Sequence, residues 1–104
     1  MKKEEKTMFT SKQRSNLKSL ASAIEPIAQI GKGGVTDNMA ESLMQALEKR
    51  ELIKISVLNN AEDTADMLAE EVAEKTGAEV VCVIGKKIVL YKKSTRKDFK
   101  HIVF

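Results

Sequence analysis

Residues Gly31-Lys32-Gly33-Gly34 set three glycines around one lysine. Such residues bring almost no side chain to a core. They leave a backbone that can take positive φ and let another molecule approach closely. The turn follows an apolar strand-like run, Ile27-Ala28-Gln29-Ile30, and precedes a helix start at Thr36. A helix N-terminus presents unpaired N–H groups and a partial positive charge. Successive glycine amides form an anion nest, and Lys32 adds a full charge at its tip. The chemistry suited to this stretch is the cradling of phosphate; the alternative on these four residues alone is a flexible strand-to-helix connection with a solvated lysine. The nucleotide-binding forms do not fit. The serine or threonine that follows Gly-Lys in a P-loop is missing, and Thr36 stands where a dinucleotide fingerprint needs glycine. A G-x-x-G that opens a helix is the form in which KH-type modules clamp a nucleic-acid backbone.

Catalytic constellations are lacking. Hydrolysis needs a nucleophile with a base, paired carboxylates or a metal cluster. A single Cys82 and a single His101 exclude an internal disulfide and a dedicated zinc site. Cys82 lies in an apolar run, whereas a reactive thiol needs an exposed electropositive setting. We therefore expect no enzyme activity, no cofactor and no metal.

The chain has 104 residues, one domain by length, and a net charge of +3. The distribution of charge says more than its total. Residues 1–24 carry a net +4, residues 85–104 a net +6 and residues 61–76 a net −5. This asymmetry fits one surface for a polyanion and another kept away from it. No apolar run approaches the ~20 residues of a membrane span, and no apolar segment follows the charged N-terminus as a secretory signal would require. A cytoplasmic monomer with no membrane partner is expected.

The elements that position the glycine turn follow from periodicity. Residues 1–9 read as a flexible tail. Thr10 is an N-cap with Gln13 completing a capping box, and Leu17, Leu20, Ala21 and Ile24 repeat at helical spacing, so the first helix is expected over 11–25, ended by Pro26. A strand over 27–30 precedes the turn. Thr36 caps a helix over 37–50 with Met39, Ala40, Leu43, Met44 and Leu47 on its apolar face. Alternation over 52–58 gives a second strand. Asn59-Asn60 turns the chain and caps a third helix, which Gly77 stops. The run 78–84 is apolar nearly throughout and reads as a central strand buried on both faces. Gly85-Lys86 turns it into an antiparallel strand over 87–91. Phe99, Ile102 and Phe104 either dock the basic tail, 94–104, or leave it loose, and the sequence does not choose between the two.

The order α-β-α-β-α-β-β predicts a single α/β domain over 10–93, a four-stranded mixed sheet packed against three helices. Strands one, two and three should run parallel, with right-handed crossovers. Their C-terminal ends would then share one edge, where open α/β sheets bind ligands. That edge would gather the glycine turn, Asn59-Asn60 and Gly85-Lys86-Lys87, with Lys12 and Arg14 beside the turn and Lys18 further down the first helix.

Several segments carry a family resemblance. Thr10-Ser11-Lys12-Gln13-Arg14, Leu17-Lys18-Ser19-Leu20-Ala21, the run from Pro26 to Thr36, Ala46-Leu47-Glu48-Lys49-Arg50-Glu51-Leu52-Ile53-Lys54, and Val83-Ile84-Gly85-Lys86 through Val89-Leu90-Tyr91 resemble the CRM domain, named for chloroplast RNA splicing and ribosome maturation, in its stand-alone bacterial YhbY-like form. The resemblance spans about residues 9–92. It implies a fold similar to the C-terminal domain of bacterial translation initiation factor three. It also implies an RNA-binding module that associates with precursors of the large ribosomal subunit. Its RNA surface would be Gly31, Lys32, Gly33 and Gly34, flanked by Lys12, Arg14 and Lys18. Lys86, where the family often has Arg, and Lys87 join them by position. The tail beyond Lys92 lies outside the motif. An alternative reading makes the chain an adaptor that docks ribosomal protein through its acidic third helix.

Overall fold

A computed structural model describes residues 9–104, and the tail expected over 1–9 lies outside them except for Phe9. The elements in order are α1 (Ser11–Ala21), β1 (Ala28–Ile30), α2 (Asp37–Arg50), β2 (Leu52–Val57), α3 (Ala65–Thr76), β3 (Glu79–Ile84) and β4 (Lys87–Tyr91). The fold is the expected α/β arrangement of three helices on a four-stranded mixed sheet.

Local signals placed most element ends. The Thr10 side chain accepts from the Gln13 amide at 3.1 Å, and Gln13 Oε1 accepts from the Thr10 amide at 3.0 Å, closing the capping box. Thr36 caps α2 through the Met39 amide. Gly77 ends α3 in the left-handed region at φ 78°. Three strand ends shift by one residue, and two helix ends differ from expectation by more. Helix α1 stops at Ala21 rather than residue 25, because the amides of Ala23 and Ile24 turn back to carbonyls three residues earlier and the α ladder gives way. Helix α3 is capped by Thr64, which accepts from the Met67 amide, and not by Asn59-Asn60.

The sheet order is β1-β2-β4-β3. β1 and β2 pair in parallel, as expected, and β4 pairs antiparallel with both β2 and β3. β2 and β3 therefore run parallel without touching, and β3 is an edge strand, not the central one. β4 takes the central place because Ile88, Val89, Leu90 and Tyr91 are all buried, giving it two apolar faces, whereas β3 starts at half-buried Glu79 and ends at exposed Ile84. A bulge between Val80 and Cys82 interrupts the β3 ladder. The hairpin turn opens on Gly85 at φ 57°, the positive-φ glycine that two-residue hairpins favour.

The helices divide between the two sheet faces. α2 and α3 cover one face, where Leu43, Leu47, Leu68 and Val72 meet Ile30, Ile53, Ile55, Ile88 and Leu90. α1 covers part of the other, where Leu17 and Ala21 meet Leu52, Val81, Val89 and Tyr91. The C-terminal segment docks on the body. Phe104 packs edge-on against Phe9 and Tyr91, with centroids 5.8 and 5.0 Å away. Glu51, fully buried at the end of α2, accepts the Ser94 and Ile102 amides at 2.8 Å each.

Candidate nucleic-acid interface

Three turns meet at the edge where β1, β2 and β3 end. The Leu58 amide donates to the Ile30 carbonyl at 2.8 Å, and the Val57 amide donates to the Lys86 carbonyl at 2.7 Å. Lys86 Nζ donates to Asn59 Oδ1 at 2.6 Å. The gathering of the glycine turn, Asn59-Asn60 and Gly85-Lys86-Lys87 is thus the one the strand directions predicted.

Within the glycine turn each glycine has a different reason. A Cβ on Gly31 would stand 3.2 Å from Asn60 Oδ1 and 3.3 Å from Leu58 Cδ1, so a side chain there would push these neighbours aside by a few tenths of an ångström. Gly34 sits at φ 71°, where an L side chain is strained, and its amide closes the turn onto the Gly31 carbonyl at 3.0 Å. Gly33 has neither reason: its φ is ordinary and nothing lies within 4 Å of the space a Cβ would take. It is exposed beside exposed Lys32, and among the described residues neither of their amides finds an acceptor. The tip therefore offers two free N–H groups and a cation, the chemistry of an anion cradle.

The electrostatics around the turn are lopsided. On the α3 side the turn shares a small cleft with Glu62, Asp63 and Glu71. On the other side, the sheet face toward α1, the cations gather. Lys18 from α1, Lys54 from β2 and Lys87 from β4 line one groove. Lys54 has no place among the residues expected from sequence. The strand alternation that buries Ile53 and Ile55 could have marked it, since it turns Lys54 to the opposite face.

Lys12 and Arg14 do not lie beside the glycine turn as expected. α1 crosses the sheet with its start tied to β3, because Arg14 donates to the Val80 and Val81 carbonyls at the bulge and its guanidinium lies 5.4 Å from the Phe9 ring centroid. Those carbonyls belong to the start of β3, the far end of the strand from the turn. Arg14 thereby covers an otherwise unpaired strand edge. Exposed Lys12 sits in the same first turn of α1.

The reactive side chains are engaged in structure. Burial pushes the Cys82 thiol above its ordinary value, and the charges of Lys18, Arg14 and Lys54 offset this only in part. His101 is hydrogen-bonded to Glu51 through Nδ1. Burial pushes the Glu51 carboxyl up, but the Ile102 and Ser94 amides and His101 outweigh it and hold the group below the ordinary value of 4.5.

Comparison with known proteins agrees with this architecture. A protein of Bacillus subtilis named "Probable RNA-binding protein YqeI" is 48% identical over 95 residues, which cover 91% of this chain and 97% of that one. A Haemophilus influenzae protein named "RNA-binding protein" is 32% identical over 88 residues, covering 85% of this chain and 89% of that protein. The solution structure of the hypothetical protein SAV1595 from Staphylococcus aureus superposes with a TM-score of 0.73 at 48% identity, covering 88% of this chain and 95% of that chain. The family model of the CRS1 / YhbY (CRM) domain matches residues 9–92, and the chain belongs to that family.

Proposed function

We propose that the protein binds RNA and acts on precursors of the large ribosomal subunit, assisting ribosome assembly as a cytoplasmic monomer without catalysis of its own. The phosphate backbone is held by Gly31, Lys32, Gly33 and Gly34, with Lys18 and Lys87 as the flanking cations. Lys86 contributes mainly by fixing the turn through Asn59. Lys12 and Arg14 lie outside the contact, since α1 begins at the far end of β3.

The observation that carries this reading is Gly33. The fold demands glycine there neither for space nor for φ. An approaching partner does, because a side chain at the tip would hold a phosphate away from the free amides. The names of the relatives and the family membership support RNA, rather than a free nucleotide, as the partner in this reading. Ribosomal precursors follow from the family resemblance.

The test is RNA binding by Lys32→Glu and Gly33→Asp. Each should weaken binding while leaving thermal unfolding within about 0.5 kcal/mol of wild type, as for other solvent-facing substitutions. A Gly33→Asp protein that binds RNA normally would remove the turn from the site.

A further inference from the structure

We propose that the RNA strand runs from the glycine turn across the part of the sheet that α1 leaves uncovered, past Gln29 and Ser56, into the groove formed by Lys18, Lys54 and Lys87. The inference rests on the RNA-binding reading above and adds the direction in which the strand leaves the turn.

The strand register lays the surface out. Gln29 pairs with Ser56, Ser56 with Lys87 and Lys87 with Ile84, so these four make one row across the sheet. Alternation puts the row on the face opposite Ile30, Ile55, Val57 and Ile88, which is the α1 face. α1 packs further down that face, over Leu52, Val81, Val89 and Tyr91, and does not cover the row. Gln29 precedes Ile30 and the glycine turn, so the row starts where the phosphate cradle ends. Two strand spacings, ~10 Å, separate Gln29 from Lys87.

Charge selects this direction over the other. The α3 side of the turn is walled by Glu62, Asp63 and Glu71, which repel a polyanion. The groove at the other end of the row is about 630 Å³, and among its described lining residues are three lysines and no carboxylate. Three lysines on one groove offer a phosphate several charge-assisted contacts. Gln29 and Ser56 supply neutral donors and acceptors between the two cation sites, suited to ribose hydroxyls and base edges. Ile84, 51% exposed at the end of the row, gives a base an apolar edge to lie against.

The test uses the full chain and a single-stranded oligouridylate, with affinity measured across a salt series. K18Q/K54Q/K87Q should bind at least ~10-fold more weakly at 0.1 M salt and lower the log–log salt slope by about two. A control of equal charge change, K49Q/K93Q/K97Q, lies on the α2 end, just past β4 and in the tail, and should lose no more than about threefold. Lys54→Arg should keep wild-type affinity, and thermal unfolding checks that each variant folds. Equal losses in the two triple variants, with binding still abolished by Gly33→Asp, would overturn the path and leave the RNA-binding reading standing. Loss in the groove triple with full binding by Gly33→Asp would also overturn the path as drawn, by detaching it from the turn. Failure of the wild-type chain to bind would overturn both.

Discussion

Gly33 and Gly34 are neighbours of one type with opposite physical demands. Gly34→Ala places a side chain at φ 71° and should cost about 1 kcal/mol, lowering Tm by about 4–8 °C in a domain of this size. Gly33→Ala should leave Tm unchanged, so a thermal scan of both separates conformational need from contact need. Glu51 shows the converse. It holds φ 66° although it is not glycine, at a helix end where glycine is usual. Its carboxylate is worth the strain because both oxygens accept buried or half-buried amides. Glu51→Gln cannot serve both, since its amide nitrogen would face one of the two N–H groups. It should cost about 1–3 kcal/mol and free the C-terminal segment to proteolysis. The sign of the pH effect follows. A carboxyl whose folded value is depressed stabilises the fold above the ordinary 4.5 and loses that contribution as pH falls through the lower folded value. Acid should therefore loosen residues 94–104 in wild type, a step that hydrogen exchange would read and that Glu51→Gln should reduce but not remove, because the Thr95 hydroxyl and amide hold the Glu48 carboxyl low as well. None of this was legible from Glu51 in the sequence, because its partners lie more than forty positions away in the chain.

At the scale of elements, the sequence marked the strands and helices well and their neighbours poorly. Capping residues at Thr10, Thr36 and Gly77 act within a few positions, so they can be read locally. Sheet order is decided by which strand has two apolar faces to bury. The run Ile88–Tyr91 won the centre from the equally apolar 78–84, and only the packing of both sides reveals it. That exchange also decided the fate of Arg14. Had β3 been central, its carbonyls would have been paired and the guanidinium free for phosphate. At an edge with a bulge, the guanidinium is drawn to Val80 and Val81 instead. Arg14→Met should therefore destabilise the fold by about 1–3 kcal/mol through the loss of two charge-assisted, part-buried hydrogen bonds. Its RNA affinity, measured on the folded fraction, should fall less than that of Lys87→Gln.

Over the whole molecule, the charge blocks of the sequence become a division of surface. The acidic stretch around α3 stands on one side of the glycine turn, and the lysines of α1, β2 and β4 stand on the other. The turn sits on the boundary, which gives a bound polyanion a preferred side. The sequence showed the blocks and the turn, and strand directions placed them at one edge. The side could not be read, because α1 lies on the opposite face of the sheet from α2 and α3 and nothing in its periodicity says so. The four aromatic residues also act at this scale. Phe9, Tyr91 and Phe104 pack on one another, and Phe99 lies near His101, so they close the C-terminal segment onto the body rather than form a platform for bases. Affinity should accordingly be dominated by phosphate contacts and fall steeply with salt. The most direct measurement is a backbone amide NMR titration of the full chain with single-stranded RNA. The largest shifts should fall on Lys32, Gly33 and Gly34, with Gln29, Ser56 and Lys87 next and the exposed face of α3 silent. Shifts centred on α3 or on residues 94–104, with the glycine turn unmoved, would contradict the account.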